Sequence, residues 1–372
     1  MKKVGIITFH SAYNYGSVLQ AYATQEAINS LGYEAEIINY RLEEQKKVYS
    51  NLRFKYGYKE LIKDLTLLPI YSKRNSKYKK FEDFIERKMN TSSICRTPED
   101  VYNLYDEYEI AVSGSDQIWN KHSLELEHID WNYMNPYLLK NFNGRKISYA
   151  SSTANMSDEE LKKIIPEIKK FQAVSMRERS SAKKISALAE MEVSSVLDPT
   201  FLLKKDDWIK KLNLNKTKGK FILYYSLGGL KRFKKIEKTL IEVAKNNNCK
   251  IFVVTPFCCV KKNEYFNPLA DCGPIEFLNA IYNANSIITD SYHGTTLSVN
   301  FGKNVFSLCK KGGSEFRKTD ILNRIGMKDR IITNPNDLVN KKFEKINYES
   351  VYENLDKLRN KSLCYLKNAL EG

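Results

Sequence analysis

The chain has 372 residues, of which 42% are hydrophobic and 28% are charged, and its formal net charge at pH 7 is +16. This length exceeds what one hydrophobic core usually supports, so we expect two globular domains, and the composition excludes an intrinsically disordered chain. The positive charge favours anionic partners such as phosphorylated substrates, acidic lipid or nucleic acid, although lysine-rich surfaces are often only solvated faces.

The seven cysteines contain no C-x-x-C pair, and the four histidines are scattered along the chain. This spacing argues against a disulfide framework or a structural zinc site, and it favours reduced thiols in the cytoplasm. No carboxylate cluster demands a metal ion. No run of about 18 apolar residues is present, so the sequence predicts no membrane-spanning helix.

A βαβ unit opens the chain. Residues 4–9 form an apolar run typical of a strand, residues 18–28 have apolar side chains at helical spacing, and residues 34–40 alternate as a second strand. Such a unit predicts a parallel sheet whose ligand site lies at the carboxyl ends of the strands.

Residues 41–90 differ in composition, with 14 Lys or Arg against 7 Asp or Glu and many interleaved aromatic side chains. Apolar residues at helical spacing from Leu61 to Leu68, stopped by Pro69, predict a helical insertion. This insertion could lie on an anionic membrane surface, or it could cover the sheet with a solvated outer face.

The α/β pattern continues through both halves of the chain. The second half begins a pattern of its own after a lysine-rich stretch at 216–220, the best candidate for a linker. Predicted strands lie at 108–112, 146–150, 173–178, 193–197, 221–225, 250–255, 286–289 and 304–308, and the last helix lies at about 350–370.

Polar loops follow two of the early strands. Asn14, Tyr15 and Gly16 form the turn that opens the first helix, and Ser115 and Asp116 follow the strand at 108–112. Because the carboxyl ends of parallel strands share one edge, these loops are candidates for the site. The turn could bind a phosphate or a sugar, or it could only shape the loop.

Six segments of the chain form a recognisable set: residues 14–23, 114–120, 175–178, 197–200, 273–278 and 289–295. Together they resemble the polysaccharide pyruvyl transferase family, which includes enzymes similar in fold to GT-B glycosyltransferases. The resemblance implies an α/β fold of two Rossmann-like domains that face each other across a cleft. It also implies transfer of a pyruvyl group from phosphoenolpyruvate to two hydroxyls of a sugar, which gives a cyclic ketal and phosphate.

The expected domains are 1–212 with the insertion at 41–90, 213–348, and a final helix at 349–372 that packs back on the first domain. Phosphoenolpyruvate would be a co-substrate, so no bound cofactor is expected, and the acceptor would be a sugar or a lipid-linked oligosaccharide of a cell-surface glycan. Nucleic acid is not an expected partner, because the basic residues are dispersed and no DNA or RNA motif is present. The protein would be cytoplasmic or peripheral at the inner face of the membrane.

His293 is the predicted general acid. Phosphoenolpyruvate must be protonated at its enol carbon before C2 becomes electrophilic, and histidine has the ordinary pKa nearest to neutral pH. His293 falls where a strand becomes a helix, Gly294 permits a close backbone approach, and the first N–H groups of the helix could bind an anion. A helix-capping or core histidine is the alternative.

In the family pattern a basic residue stands two positions before this histidine, where this chain has Ser291. The missing charge would come from Arg177, which matches a basic residue of the family's first domain, or from Lys311 and Arg317. Arg177 could instead be a surface side chain paired with an acidic neighbour, and the stretch at 310–317 could be a solvated loop. Asp116 could act as a base on the acceptor hydroxyl or cap a following helix.

Two other functions stay open. The two-domain pattern also suits a GT-B glycosyltransferase that uses a nucleotide sugar, whose diphosphate would use the same basic residues. The departure at Ser291 keeps open a non-catalytic glycan-binding relative.

Overall fold

The computed structural model describes residues 2–43, 45, 65, 67–256, 259–310, 316–343 and 345–372. The chain divides into two units. The first comprises Met1–Tyr49, Glu82–Leu203 and Asp356–Gly372, and the second comprises Ser50–Phe81 and Lys204–Leu355. Each unit has parallel strands connected by helices, as predicted from the alternation of apolar runs along the sequence.

The sheet of the first unit has four parallel strands: β1 (Lys3–Ile7), β2 (Glu34–Ile37), β3 (Ile110–Ser113) and β4 (Arg145–Ser148). Their order is β2-β1-β3-β4, so β2 lies on one side of β1 and the later strands β3 and β4 lie on the other side. Two more parallel strands, β5 (Val174–Met176) and β6 (Val193–Ser195), pair with each other. In open α/β sheets a change of side like that between β2 and β3 marks the usual place for a ligand at the carboxyl edge.

The helices of the first unit follow local signals at their ends. Thr97 and Ser157 each accept a hydrogen bond from the backbone N–H three residues later, and in both cases an acidic side chain returns the bond. These reciprocal caps satisfy N–H groups that a helix otherwise leaves without partners. The helices are α1 (Tyr15–Ser30), α3 (Pro98–Tyr102), α4 (Asp158–Ile168) and α5 (Arg179–Ala189), together with the part of α2 (Tyr71–Lys88) from Glu82 onward; the earlier part of α2 belongs to the second unit.

The second unit has six parallel strands in the order β12-β11-β10-β7-β8-β9. They are β7 (Phe221–Tyr225), β8 (Lys250–Val254), β9 (Phe266–Pro268), β10 (Ser286–Thr289), β11 (Asn304–Leu308) and β12 (Ile331–Ile332). Its helices are α6 (Lys205–Leu212), α7 (Leu230–Asn246), α8 (Pro274–Asn283), α9 (Tyr292–Asn300) and α10 (Phe316–Arg324).

The two faces of this second sheet are covered by different helices. Tyr224 belongs to the core cluster that includes Phe233 and Ile236 of α7. The next residue, Tyr225, lies edge-on to Phe277 of α8, with ring centroids 4.7 Å apart. Because side chains alternate along a strand, α7 and α8 lie on opposite faces of the sheet.

The last helix, α11 (Glu349–Glu371), contributes its residues from Asp356 onward to the first unit. Arg359 Nε donates to the Phe201 carbonyl at 2.6 Å, and Tyr365 Oη donates to the Ser148 carbonyl at 2.9 Å. Arg145 Nε donates to the Ala369 carbonyl at 2.7 Å. These bonds hold the end of the chain against strand ends and loops of that unit.

Three local expectations are wrong. Helical structure does not stop at Pro69, because a 3-10 turn at Leu68–Ile70 leads directly into α2 and proline is tolerated in a first turn. Residues 117–120 form a turn, so Asp116 caps no helix. Arg317 lies in α10 and not in a loop, whereas Lys311 and most of residues 61–66 lie outside the described residues.

In the part of the chain that the structure describes, no helix combines the length and the apolar character needed to cross a membrane. The same residues contain no group of three His, Cys, Asp or Glu side chains arranged to hold a metal ion.

Candidate active site

The candidate residues fall into two groups, one in each unit. Those of the first unit are Asn14, Tyr15, Gly16, Ser115, Asp116 and Arg177. Those of the second unit are Ser291, His293, Gly294 and Arg317. Apart from Arg317, all of them follow the carboxyl ends of strands, as the βαβ pattern predicts.

The start of α1 is organised by Asn14 and Asp116. Asn14 is the N-cap, and its side chain accepts a hydrogen bond from the N–H of Gly16 at 3.0 Å. Ser17 Oγ in the first turn donates to Asp116 Oδ2 at 2.9 Å. A carboxylate therefore already lies near the positive end of this helix, where negative charge is favoured.

Arg177 lies at the centre of a buried ion cluster. Its Nε contacts Glu178 Oε1 at 3.0 Å, its Nη1 contacts Asp198 Oδ2 at 3.0 Å, and the same Nη1 is 3.7 Å from Asp116 Oδ1. Only 3% of Arg177 is exposed, so the alternative of a surface arginine is wrong.

Three carboxylates around one guanidinium make this cluster formally acidic. Such a cluster repels a phosphate unless the protein rearranges, and the guanidinium serves first to neutralise Asp198, Glu178 and Asp116. A direct contact between Arg177 and substrate phosphate stays a prediction. Pairing of Arg177 with the neighbouring Glu178 was an alternative from the sequence, whereas its contacts with Asp198 and Asp116 were not predicted.

A second polar network in the first unit was missed by the sequence interpretation. His10 Nε2 is 2.9 Å from Asn39 Oδ1, which also accepts from Arg41 Nε at 2.6 Å. Arg41 Nη1 pairs with Glu82 Oε2 at 2.7 Å. Burial lowers the pKa of His10 to about 4, so this imidazole is neutral near pH 7. The sequence feature that could have indicated this network is the position of His10, three residues after β1 in the first strand-to-helix loop.

His293 occupies the first turn of α9, directly after β10. Ser291 is the N-cap of this helix and accepts a hydrogen bond from the N–H of Gly294 at 3.2 Å. The imidazole of His293 lies edge-on to the ring of Tyr292, with centroids 5.2 Å apart. The guanidinium carbon of Arg317 is 5.9 Å from the centroid of that same Tyr292 ring.

Gly294 brings α9 close to the sheet. A Cβ at this position would lie 2.5 Å from Thr289 Oγ1 and 2.7 Å from Tyr225 Cδ1. Real Cβ atoms do not make such contacts, so glycine is needed for this approach. The contact fixes the position of the helix start that carries Ser291 and His293.

The carboxylate of Asp290 has three partners in the second unit, none of which was predicted from the sequence. Its carboxylate accepts from Ser226 Oγ at 2.6 Å and from the N–H of Leu227 at 2.8 Å. Arg232 Nε is 3.0 Å from the same carboxylate. These bonds connect the loop after β7 to the segment that leads into His293.

Lys318 of α10 contacts the backbone of the segment that leads into His293. It is 2% exposed, and its Nζ donates to the carbonyls of Asp290 and Leu308 at 2.8 and 2.6 Å. The buried ammonium thereby ties the ends of β10 and β11 to α10. At the position where the family pattern has a cation, Ser291 contributes a helix cap, and the nearby positive charges belong to Arg232, Arg317 and Lys318.

The sequence profile of the polysaccharide pyruvyl transferase family matches residues 14–308, a span that begins at the N-cap of α1 and ends at the last residue of β11. The chain belongs to this family. The match contains all six of the first unit's candidates and the segment from Asp290 to Gly294. No protein with a curated description matches the chain.

Solved structures resemble the chain in fold. A protein assigned as a UDP-N-acetylglucosamine 2-epimerase from Listeria monocytogenes has a TM-score of 0.57 at 10% identity, over 100% of this chain and 97% of its own. UDP-GlcNAc 2-epimerase from Methanocaldococcus jannaschii has a TM-score of 0.50 at 9% identity, over 97% of this chain and 93% of its own. At these identities the likeness concerns the fold alone, and it confirms the predicted GT-B-like class with Rossmann-type units.

Proposed function

We propose that this transferase moves a pyruvyl group from phosphoenolpyruvate to two hydroxyls of a sugar in a cell-surface glycan, forming a cyclic ketal and releasing phosphate. The observation that carries the proposal is the position of His293 in the first turn of α9, within the span that matches the family. A mostly buried imidazole at a strand-to-helix junction is well placed to deliver a proton to a small bound substrate.

In the proposed reaction, His293 gives a proton to the methylene carbon of phosphoenolpyruvate, and C2 becomes electrophilic. One sugar hydroxyl attacks C2, phosphate leaves, and the second hydroxyl closes the ring. A bound substrate phosphate is stabilised by the N–H groups of the first turn of α9 and by cationic side chains near it. Arg317 is one candidate, because its guanidinium lies over the ring of Tyr292, which the His293 imidazole contacts edge-on.

Asp290 and Lys318 are proposed to position the acid and not to react. The Asp290 carboxylate accepts a hydrogen bond from the N–H of Leu227 in the loop after β7. Lys318 donates to the carbonyls of Asp290 and Leu308, which follow or end β10 and β11. This network fixes the backbone immediately before Ser291. Fixing a proton donor in this way lowers the cost of reaching the reactive geometry.

The acceptor is proposed to be a sugar or a lipid-linked oligosaccharide, and contact with an anionic membrane through residues 41–90 stays a prediction, as does a cytoplasmic location. Phosphoenolpyruvate is consumed in the reaction, so the proposal requires no bound cofactor. Asp116 is proposed as a base only if a hydroxyl reaches it, since Ser17 and Gln117 already donate to its carboxylate.

The decisive experiment offers the full chain a panel of free and lipid-linked sugars together with carbon-labelled phosphoenolpyruvate or labelled UDP-sugars. We expect label from phosphoenolpyruvate in the sugar product, together with equimolar phosphate. Ketal formation is recognised by a quaternary carbon signal in the NMR spectrum. Label that enters the acceptor only from the UDP-sugar would establish a glycosyltransferase and refute the proposal.

A further inference from the structure

A cavity of about 450 Å³ in the second unit is not accounted for by the proposed reaction. It lies at the carboxyl edge of the sheet, between the start of α7 and the segments that follow β11 and β12. Its volume falls in the range of pockets that bind small organic molecules.

The wall of this cavity carries four cations: Lys231, Arg232 and Lys235 from α7, and Lys310 from the end of β11. No Asp or Glu is among its lining residues in the described part of the chain. Among the described residues, no carboxylate lies within 4.0 Å of an amino group of Lys231, Lys235 or Lys310. The cavity therefore presents uncompensated positive charge to whatever enters it.

The floor of the cavity is apolar. Tyr224, Ile236, Leu308 and Ile332 line it, and all four belong to the core cluster on the α7 face of the sheet. A bare inorganic ion would leave this floor unused. A molecule with an apolar or aromatic part and an anionic group would use both the floor and the cations.

This cavity is separate from the segment that carries His293. Tyr224 and Leu308 point to the α7 face, whereas Ser307 bonds to Thr295 of α9 at 2.9 Å on the other face. Neither Ser291 nor His293 lines the cavity. Arg232 connects the two places, because it lines the cavity and pairs with Asp290 at 3.0 Å.

We propose that this cavity, which we call the α7 pocket, binds an organic phosphate. The phosphate group contacts the side chains of Lys231, Lys235 and Lys310, and the uncharged part of the molecule lies on the apolar floor. Multiple cationic donors around one phosphate give charge-assisted hydrogen bonds, and the N-terminus of α7, a helix of 17 residues, adds favourable polarity.

Two sources have this chemistry: a nucleotide, and a phosphate ester of an isoprenoid alcohol. The first places a base on the floor, and the second places an alkyl chain there. Leu227 and Leu230 are exposed and lie within two residues of Gly229, which lines the pocket, so they are candidates for further apolar contact with an alkyl chain. The binding test separates these sources, and it does so without phosphoenolpyruvate, so its outcome is independent of the proposed transfer.

The test measures binding of UDP, farnesyl phosphate and inorganic phosphate to the full chain by isothermal titration. A Lys231→Ala/Lys235→Ala variant removes two charges from the pocket. Its matched control, Lys234→Ala/Lys238→Ala, removes two charges from the same helix outside the lining of the pocket. Thermal unfolding of each variant checks that the fold is intact.

We expect UDP or farnesyl phosphate to bind at least tenfold more tightly than inorganic phosphate, and the organic ligand that binds identifies the source. The pocket variant should weaken this binding at least tenfold, and the control at most twofold. Equal losses in both variants would assign the binding to general surface charge and overturn the proposal. Absence of binding by both organic probes, or binding no tighter than that of inorganic phosphate, would also overturn it.

Discussion

Arg177→Met removes a positive charge that contacts the buried carboxylates of Asp116, Glu178 and Asp198. The guanidinium contacts two of these carboxylates at 3.0 Å and the third at 3.7 Å. Breaking a buried ion pair from one side leaves charges without compensation and costs about 3–5 kcal/mol. We expect the first unit to lose about that much free energy of unfolding.

At roughly 2–4 °C per kcal/mol for units of this size, the loss corresponds to a fall of about 6–20 °C in the transition of the first unit. Calorimetry of the variant and the wild type measures this shift. Lys183→Met is the matched control, because Lys183 is exposed on α5 and loses the same charge. It should change stability by about 0.5 kcal/mol or less.

Arg177→Lys separates charge from geometry. Lysine keeps the charge but cannot reproduce the planar donor fork, so its stability should fall between those of the wild type and Arg177→Met. If Arg177→Met instead unfolds like the wild type while losing affinity for phosphoenolpyruvate, the structural role is refuted. The family-based role of Arg177 in phosphate binding would then stand.

Three further predictions concern packing and protonation. Gly294→Ala places a methyl group 2.5 Å from Thr289 Oγ1, so it should cost about 1–3 kcal/mol in urea unfolding and reduce transfer; unchanged stability would contradict the required close approach. Lys318→Met leaves two buried carbonyls without their donor and should cost about 1–3 kcal/mol by the same measurement, whereas an unaffected urea midpoint would refute its tethering role. Burial lowers the pKa of His10 from 6.5 to about 4. As the pH falls, His10 therefore binds a proton in the unfolded chain at a higher pH than in the folded chain, and stability should fall between pH 6.5 and 4. His10→Phe should flatten this dependence and His128→Asn, at an exposed position, should not; equal slopes in all three proteins would contradict the assignment to His10.

The strands of the second unit were predictable from the sequence because they are continuous apolar runs bounded by polar residues. The structure has strands at Phe221–Tyr225, Ser286–Thr289 and Asn304–Leu308, the same bounds that the apolar runs predict. The strand Ile331–Ile332 was missed, because two residues carry no periodic pattern and their pairing with β11 is a tertiary interaction. The helix Lys205–Leu212 is only eight residues long, and its local pattern is correspondingly weak.

The site was predictable where it depends on one junction in the chain. The order of strand, polar residues and glycine placed Ser291, His293 and Gly294 at the start of a helix, as the structure has them. Their surroundings were not predictable, since the hydrogen bond between Ser226 and Asp290 joins residues that are 64 positions apart. Such contacts arise from the pairing of β7 with β10, which local patterns do not specify.

The acidic partners of Arg177 were unpredictable for a similar reason. The sequence shows Glu178 beside it, but Asp198 and Asp116 approach only because loops after three different strands converge at one edge of the first unit. An arginine after a strand therefore has the same sequence pattern whether it contacts a ligand or neutralises buried carboxylates. Only the three-dimensional arrangement of the acidic residues separates these cases.

His293→Asn tests most directly whether His293 protonates phosphoenolpyruvate. The assay follows transfer of labelled pyruvyl groups to the sugar acceptor in the wild type, in His293→Asn and in the exposed control His128→Asn. Loss of a general acid should lower kcat/KM for phosphoenolpyruvate by about 10²–10⁴, with thermal unfolding unchanged and the control unaffected. Transfer by His293→Asn at the wild-type rate would contradict the account.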